Sequence, residues 1–307
     1  MEHIVITGAD GFIGSHLVKQ FVDKGYMVTA IVIKDSPTRY RIEGIPNVTI
    51  VEGDLAQWGE LADVMPQAPL AFFHLAWAGV SPESRNSLEI QLPNIELSLN
   101  AVLLSHKIGA QRFILPGSTT EYTDCGKPIN EKACPSPQNA YGAAKISSRY
   151  LCRALCEELD LPYIYVVITG IYSEDRVDNN VIYYTISSLL DGECPVFTKL
   201  EQKWDYVHIN DVLRAMILIA EKGKPGAFYV IGHGDNWPLS NYIYQIRDAI
   251  DPNLPLGIGK IPYKNNKMPS SCVDLTSLRK DTGFEPEIPF SEGILRVVEK
   301  VKEAKKK

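Results

Sequence analysis

A strand that runs straight into a glycine turn opens this chain, and few folds accept that order. The apolar run His3-Ile4-Val5-Ile6-Thr7 passes into Gly8-Ala9-Asp10-Gly11-Phe12-Ile13-Gly14, and a helical pattern follows. Strand, tight turn and helix in succession make the first βα step of a parallel sheet. Gly8 suits the turn, Gly11 lets backbone approach an anion, and Gly14 lets the helix settle on the strand. The helix start offers unpaired N–H groups to a pyrophosphate. Gly8, Asp10, Gly11, Phe12, Ile13 and Gly14 are therefore the expected dinucleotide-binding residues.

The alternation continues along the first half. Strand-like runs at His3–Thr7, Met27–Ile33, Val48–Val51, Ala71–Leu75, Arg112–Pro116 and Tyr163–Ile168 are separated by helical patterns, among them Gly14–Lys24, Asn94–Ile108 and Tyr141–Leu159. This predicts an α/β protein with a Rossmann-like, doubly wound parallel sheet. After about Gly170 the pattern loosens, although Val207–Ile209, Asn210–Glu221 and Phe228–Ile231 read as returns to the sheet. Residues 1–170, with about 205–232, are expected to form the dinucleotide-binding domain. Residues 171–204 and 233–307 are expected to form a smaller C-terminal substrate-binding lobe, with Asn179–Gly192 and the segment from Ser240 onward as its main pieces.

Composition narrows the partners. With 45% apolar residues over 307 positions the chain can bury a large core, and a formal charge of −6 argues against nucleic-acid binding. The basic run Lys300 to Lys307 reads as a solvated helix end. No apolar run has the length of a membrane helix, and no signal-peptide pattern precedes the first strand. Cys125, Cys134, Cys152, Cys156, Cys194 and Cys272 are scattered without a C-x-x-C pair, so no metal site is expected and a reducing, cytoplasmic setting is. The expected partner is a small molecule. Asn94–Ile108, apolar around most of its circumference, and Tyr141–Leu159 further predict a homodimer through a four-helix bundle.

Tyr141-Gly142-Ala143-Ala144-Lys145 places a phenol and an ammonium one helical turn apart, and Ser118 stands 23 residues earlier, beside the fifth strand. Hydride transfer at a carbonyl carbon must be matched by proton transfer at its oxygen. Tyrosine alone is too weak an acid for that near neutrality. Moving a phenol from ~10 toward ~7 takes ~4 kcal/mol, and one cation at ~4 Å in an effective dielectric of ~20 supplies roughly that. Lys145 is the expected source, with Ser118 orienting the substrate oxygen.

With these residues in sheet order, the chain resembles the extended short-chain dehydrogenase/reductase superfamily, the branch of nucleotide-sugar epimerases, dehydratases and reductases. The resemblance runs from Ile4 to Phe284-Glu285-Pro286. It implies an NAD(P) cofactor, a nucleotide sugar as substrate, and catalytic Ser118, Tyr141 and Lys145, with the last two also holding the cofactor. It further implies that Asp54 and Leu55 contact the adenine and that Leu75 and Ala76 line the nicotinamide ribose and phosphates. As residues in their own right, Asp54 also suits a helix N-cap and His74 suits the core. Counting from Gly8, the acid that would meet a free ribose 2′-hydroxyl falls on Val32, whereas Lys34, Arg39 and Arg41 lie just beyond. That balance leans toward NADP, with Asp35 nearby on the other side.

On the substrate side the resemblance assigns Asn94 to a proton relay, through water or a backbone group, although after Pro93 it also suits an N-cap. Thr119 and Thr120 stand where the 4,6-dehydratases of the family carry Asp and Glu, so dehydration is disfavoured. Trp204 replaces an arginine, and Gly170 an asparagine, that face the sugar-nucleotide diphosphate. Thr119, Asn94 and Trp204 are the expected substrate contacts, with Lys203, Lys264 or Lys267 as replacement charges. Asp205 and Asp211 read as structural caps, and His208 as either a cleft or a core residue. Redox or epimerisation at a carbinol or ketone carbon is the leading reading, leaning toward a reductase. A ketone or aldehyde reductase for a non-nucleotide substrate, and a dinucleotide-sensing module without chemistry, are the alternatives.

Overall fold

A computed structural model of the chain describes residues 1–122, 127–176, 180–263, 270 and 272–306. Cys125, Lys264, Lys267 and Asn179 lie outside them. The elements run β1 (His3–Thr7), α1 (Phe12–Asp23), β2 (Met27–Val32), β3 (Val48–Glu52), α2 (Trp58–Ala62), β4 (Ala71–His74), α3 (Leu88–Lys107), β5 (Phe113–Ser118), α4 (Ala140–Glu158) and β6 (Tyr163–Ile168). They continue with β7 (Gly170–Tyr172), α5 (Val181–Leu190), β8 (Lys203–Trp204), β9 (Tyr206–His208), α6 (Ile209–Lys222), β10 (Phe228–Ile231), β11 (Trp237–Pro238), α7 (Leu239–Asp248), α8 (Thr276–Thr282) and α9 (Phe290–Lys305).

Seven strands form one sheet in the order β10-β6-β5-β4-β1-β2-β3, every neighbouring pair parallel. The period-2 alternation of a strand explains how both faces are covered. Ile4 and Ile6 of β1 enter a core with α1, α6 and α8, while Val5 enters a second core with α3 and α4. This is the doubly wound arrangement the glycine turn implied. Reversal of strand order beside β1 opens the crevice at the carboxyl ends of β1 and β4, where ligands of such sheets sit.

Of the boundaries that differ from the sequence reading, two bear on the site. α3 starts at Leu88, six residues before Asn94, and carries Pro93 inside it. Proline removes one intrahelical N–H bond, which made Asn94 look like a helix start. Burial of Gln91 and Asn94 decides otherwise, because their amides hold the preceding loop. Gln91 accepts from Trp77 Nε1 at 3.0 Å and donates to the Gly79 carbonyl at 2.7 Å. β5 extends two residues further than expected, so Ser118 is its last residue.

A third core joins Tyr172, Ile182, Ile186, Phe197, Leu200 and Tyr206 to residues of α7 and α9, from Leu239 to Ile246 and from Phe290 to Val301. Tyr206, Tyr242 and Phe290 meet there ring to ring, with centroids 4.8 to 5.6 Å apart. Leu278 and Phe284, although late in the chain, pack into the sheet's core instead. Among the described residues no helix is long and apolar enough to cross a membrane. Cys134, Cys152, Cys156 and Cys194 are free thiols, with Cys152 and Cys156 buried in α4.

Candidate active site

The glycine turn forms a cradle that no side chain could share. Gly8 has φ +63°, and a Cβ there would stand 2.7 Å from the Ala76 nitrogen. A Cβ on Gly14 would fall 2.2 Å from the Gly8 carbonyl oxygen, so α1 starts directly on the turn. Gly11 precedes α1 without a side-chain cap, and the first turn carries no acidic residue. Phe12, Ile13 and Gly14 thus begin a helix whose positive end is left for an anion, which fits a dinucleotide pyrophosphate. Leu75 and Ala76 lie alongside, the Leu75 N–H donating to the Thr7 carbonyl at 3.1 Å and the Ala76 N–H to Thr7 Oγ1 at 3.3 Å.

Asp10 serves the neighbouring loop. Its Oδ2 accepts from Ser36 Oγ and, at 2.9 Å, from Thr38 Oγ1, while Arg41 Nη1 donates to its carbonyl at 3.3 Å. The segment after β2 is thereby tied to the glycine turn. Lys34 in that segment is exposed, and Arg39 is engaged by Glu43 and Glu52. Asp54 accepts from the Ala56 N–H at 2.9 Å and caps the turn that begins at the buried Leu55.

Ser118, Tyr141 and Lys145 converge where β5 ends. Asn139 caps α4 through the Gly142 N–H at 2.8 Å, which fixes the start of the helix and so the height of Tyr141. A Cβ on Gly142 would meet the Thr120 carbonyl at 2.6 Å, so α4 lies tightly against the turn after Ser118. The Ser118 hydroxyl is close enough to the Tyr141 phenol to pull its value down. Lys145 is buried, donates to the Pro116 carbonyl at 3.1 Å and sits 3.6 Å above the Trp77 ring. Trp77 meets Tyr141 edge to face at 6.0 Å.

Electrostatics at the phenol differ from the expectation. Tyr141 is pushed up to about 12, by burial first and then by the Glu121 carboxylate, with Ser118 and Arg85 pulling the other way. Lys145 Nζ lies 5.9 Å from the Tyr141 ring centroid, and burial drives its own value down. Glu121 was not read from the sequence as a functional residue. It is fully buried directly behind Ser118, and burial raises its value. The signal was present as Ser118-Thr119-Thr120-Glu121, the S-x-x-E of a capping box, and both reciprocal bonds form.

His74 is a core residue, with Nδ1 2.8 Å from Thr7 Oγ1 and Nε2 3.2 Å from Ser98 Oγ, and burial holds it near 3. Asn94 is not an N-cap. From mid-helix it accepts from the Ala78 N–H at 2.8 Å and donates to the carbonyls of Ala78 and Ile90, the backbone partners that the relay reading allowed.

The sequence profile described as the NAD dependent epimerase/dehydratase family matches residues 4–232. The chain belongs to that family. A dTDP-glucose 4,6-dehydratase from Neisseria meningitidis serogroup B is 27% identical over 338 residues, which cover 97% of this chain and 93% of the relative. Among solved structures, the UDP-N-acetylglucosamine 4-epimerase of Methanobrevibacter ruminantium M1, in complex with UDP-N-acetylmuramic acid, superposes with a TM-score of 0.85 at 24% identity and covers 99% of both chains. The UDP-glucuronic acid 4-epimerase of Bacillus cereus, in complex with UDP-glucuronic acid and NAD, gives 0.83 at 19% identity, covering 98% of this chain and 99% of the other.

In this member of the epimerase/dehydratase family the substrate side has its own construction. Trp204 and Gly170, two separate departures in the sequence, occupy one place. A Cβ on Gly170 would stand 3.0 Å from Trp204 Nε1 and 2.8 Å from Tyr206 Cδ1. Space left by the missing side chain is filled by the indole, whose buried N–H has no hydrogen-bond partner. β8 holds Trp204 against Trp237 of β11. Lys203 is exposed. Thr119 is buried, and Thr120 Oγ1 donates to Ser118 Oγ at 3.1 Å.

Asp205 and Asp211 are structural. Asp205 accepts the N–H groups of His233, Gly234 and Asp235, and Asp211 those of Glu287 and Ile288. His208 is a core residue that caps α6 through the Asn210 N–H and faces Glu174 at 3.2 Å.

Proposed function

We propose that this chain is an oxidoreductase or epimerase working at a carbinol or ketone carbon of a nucleotide-linked sugar, with reduction as the favoured direction. The observation that carries this is the meeting of Ser118 and Tyr141 at the end of β5, with Lys145 one turn along and the glycine cradle two strands away. A bound nicotinamide dinucleotide would supply or take up the hydride, held by Gly8, Asp10, Gly11, Phe12, Ile13 and Gly14 with Lys34, Asp54, Leu55, Leu75 and Ala76 around it.

Ser118 orients the substrate oxygen, and Tyr141 delivers a proton to it. Lys145 steadies the phenolate this leaves and holds the cofactor. Near neutrality the phenol is protonated, the form that delivers a proton to a ketone oxygen. Thr119 and Thr120 offer no acid–base pair for eliminating water. Thr119 and Trp204 serve the substrate, and Asn94 acts through the Ala78 backbone it holds. Residues 171–204 and 233–307 supply the substrate side, with Leu278 and Phe284 returning to the sheet.

NADP is the favoured cofactor. No carboxylate stands at Val32 or Ile33, and Arg41 is fastened beside the glycine turn through the Asp10 carbonyl. NAD in the Bacillus cereus relative makes the competing case. Nucleotide sugars in the solved relatives support the substrate class. A cytoplasmic setting and a homodimer complete the reading. Exposed Leu92 on α3 and Tyr150 and Leu151 on α4 are apolar surface for the two-fold bundle, and a monomeric mass at micromolar concentration would count against it.

The decisive experiment offers the UDP, dTDP, CDP and GDP forms of 4-ketosugars with NADPH or NADH to the wild type and to Tyr141→Phe. Consumption of NADPH that falls about 10²- to 10⁴-fold in the variant is expected. Tightly retained cofactor with interconversion of sugars and no net oxidation would make the chain an epimerase. Affinity for none of the four nucleotides would point to a non-nucleotide ketone. A biological effect unchanged in Tyr141→Phe would make it a sensor.

A further inference from the structure

We propose that the buried Glu121 carboxylate is the counter-ion that keeps Lys145 in its ammonium form, making it a positioning residue for the Ser118–Tyr141–Lys145 group. The inference rests on the catalytic reading above and extends it by one residue.

The geometry is closed on every side. Glu121 has no exposed surface. Its Oε1 accepts from the Ser118 N–H at 2.6 Å and from the Tyr165 hydroxyl at 2.8 Å, while Oε2 is buried with no hydrogen-bond partner. Lys145 and Glu121 grip the same end of β5, the ammonium at the Pro116 carbonyl and the carboxylate at the Ser118 N–H two residues on, and Arg149 of α4 is the second cation whose charge reaches the carboxylate. From β6 comes Tyr165, and across the turn Tyr141 feels its charge. Arg149 is itself buried, bonded to the Tyr122 hydroxyl at 2.6 Å and stacked 4.5 Å from the Phe228 centroid.

Two cations and one carboxylate thus share an interior from which water is excluded. A buried ammonium loses its hydration and gives up its proton unless an anion opposes this. Lys145 has one carbonyl and an aromatic face as its direct contacts, neither of which carries a full negative charge. Cys152, on the same helix, is neutral because burial raises its thiol, and His74 is held neutral beneath the ammonium. Glu121 is the charge that acts in the required direction, and burial of Lys145 is what it works against.

The same carboxylate raises Tyr141. Burial and this anion together raise the proton donor, while the anion opposes loss of the proton from the neighbouring cation. A purely structural Glu121 would do something separable. As the third residue of a capping box it accepts the Ser118 N–H, and a glutamine oxygen can do that equally well.

Glu121→Gln therefore separates charge from capping. In the full chain, labelled with ¹³C-lysine and free of cofactor, the Lys145 side-chain resonance is assigned by its loss in Lys145→Arg and titrated by NMR. Glu121→Gln is expected to move the Lys145 midpoint down by at least about one pH unit, the low end for loss of an adjacent opposite charge. Glu121→Asp is expected to restore part of the shift. Tyr165→Phe, which keeps the carboxyl but removes its donor, moves Lys145 in the same direction by less. If Glu121→Gln does not fold, Tyr165→Phe decides. An unmoved Lys145 midpoint in the folded variant overturns the proposal.

With an accepted 4-ketosugar and NADPH, the alkaline limb of the pH–rate profile moves down with the Lys145 midpoint. The two readings fail separately. Turnover that survives Tyr141→Phe sinks the catalytic assignment and leaves the lysine titration standing, while an unmoved lysine sinks only the role of Glu121.

Discussion

The two ends of the cleft are built from opposite materials. The proposed dinucleotide end is backbone: Gly8, Gly11 and Gly14 clear space, the start of α1 leaves N–H groups uncapped, and Ala76 closes the far side. The proposed substrate end is side chain: Trp204 and Tyr206 fill what Gly170 leaves open, and Trp237 pairs with Trp204. Backbone recognition is set by a short segment and tolerates almost no change within it. Side-chain recognition is assembled from segments far apart in sequence, and one replacement can be answered by another elsewhere.

The sharpest way to break this contrast is at Gly8, with Gly25 as control. Both have positive φ, +63° and +86°, but nothing lies within 4 Å of a Cβ built on Gly25. Gly25→Ala is expected to cost about 1 kcal/mol of stability for the left-handed backbone and to leave cofactor affinity alone. Gly8→Ala meets the same conformational cost plus a fixed nitrogen at 2.7 Å. The cradle must open, and the dissociation constant for NADPH is expected to rise at least about tenfold, or 1.4 kcal/mol. Fluorescence titration of NADPH and urea unfolding of both variants check this. Equal affinities in the two variants would mean that the turn is only a turn.

What could be read in advance follows the same division. Glycines, strand runs and the Tyr141–Lys145 spacing are local, and the sheet they imply is the sheet that forms. Pro93 misled because helix propensity is local, whereas the burial of Gln91 and Asn94 against the loop at 77–80 is not. Capping by Glu121 was visible as S-x-x-E, but its charge has meaning only beside Tyr165 on β6 and Arg149 on α4, which the chain reaches later. The direction of the Tyr141 shift also needed the fold. Burial raises the phenol, and the ammonium one turn away, 5.9 Å from the phenol's ring centroid, also meets Trp77 and the Pro116 carbonyl. Trp204 and Gly170 were each legible as departures from a family pattern. That they answer one another depends on the pairing of β7 with β9.

That mutual dependence is open to a double-mutant cycle, with smaller effects than at Gly8. Gly170→Ala places a methyl 3.0 Å from Trp204 Nε1 and 2.8 Å from the Tyr206 ring, and overpacking of this kind costs about 1–3 kcal/mol. Trp204→Ala alone leaves a gap against Gly170 and Trp237. In the double variant the methyl enters part of the space the indole vacated, although Tyr206 still opposes it. The two costs are therefore expected to sum to more than the double variant loses, with a coupling of about 0.5–3 kcal/mol. Urea unfolding of the four proteins measures it. Additivity within about 0.5 kcal/mol would show that the two positions changed independently. The substrate end would then owe its shape to Tyr206, whose ring is fixed by Tyr242 and Phe290, and not to a paired exchange.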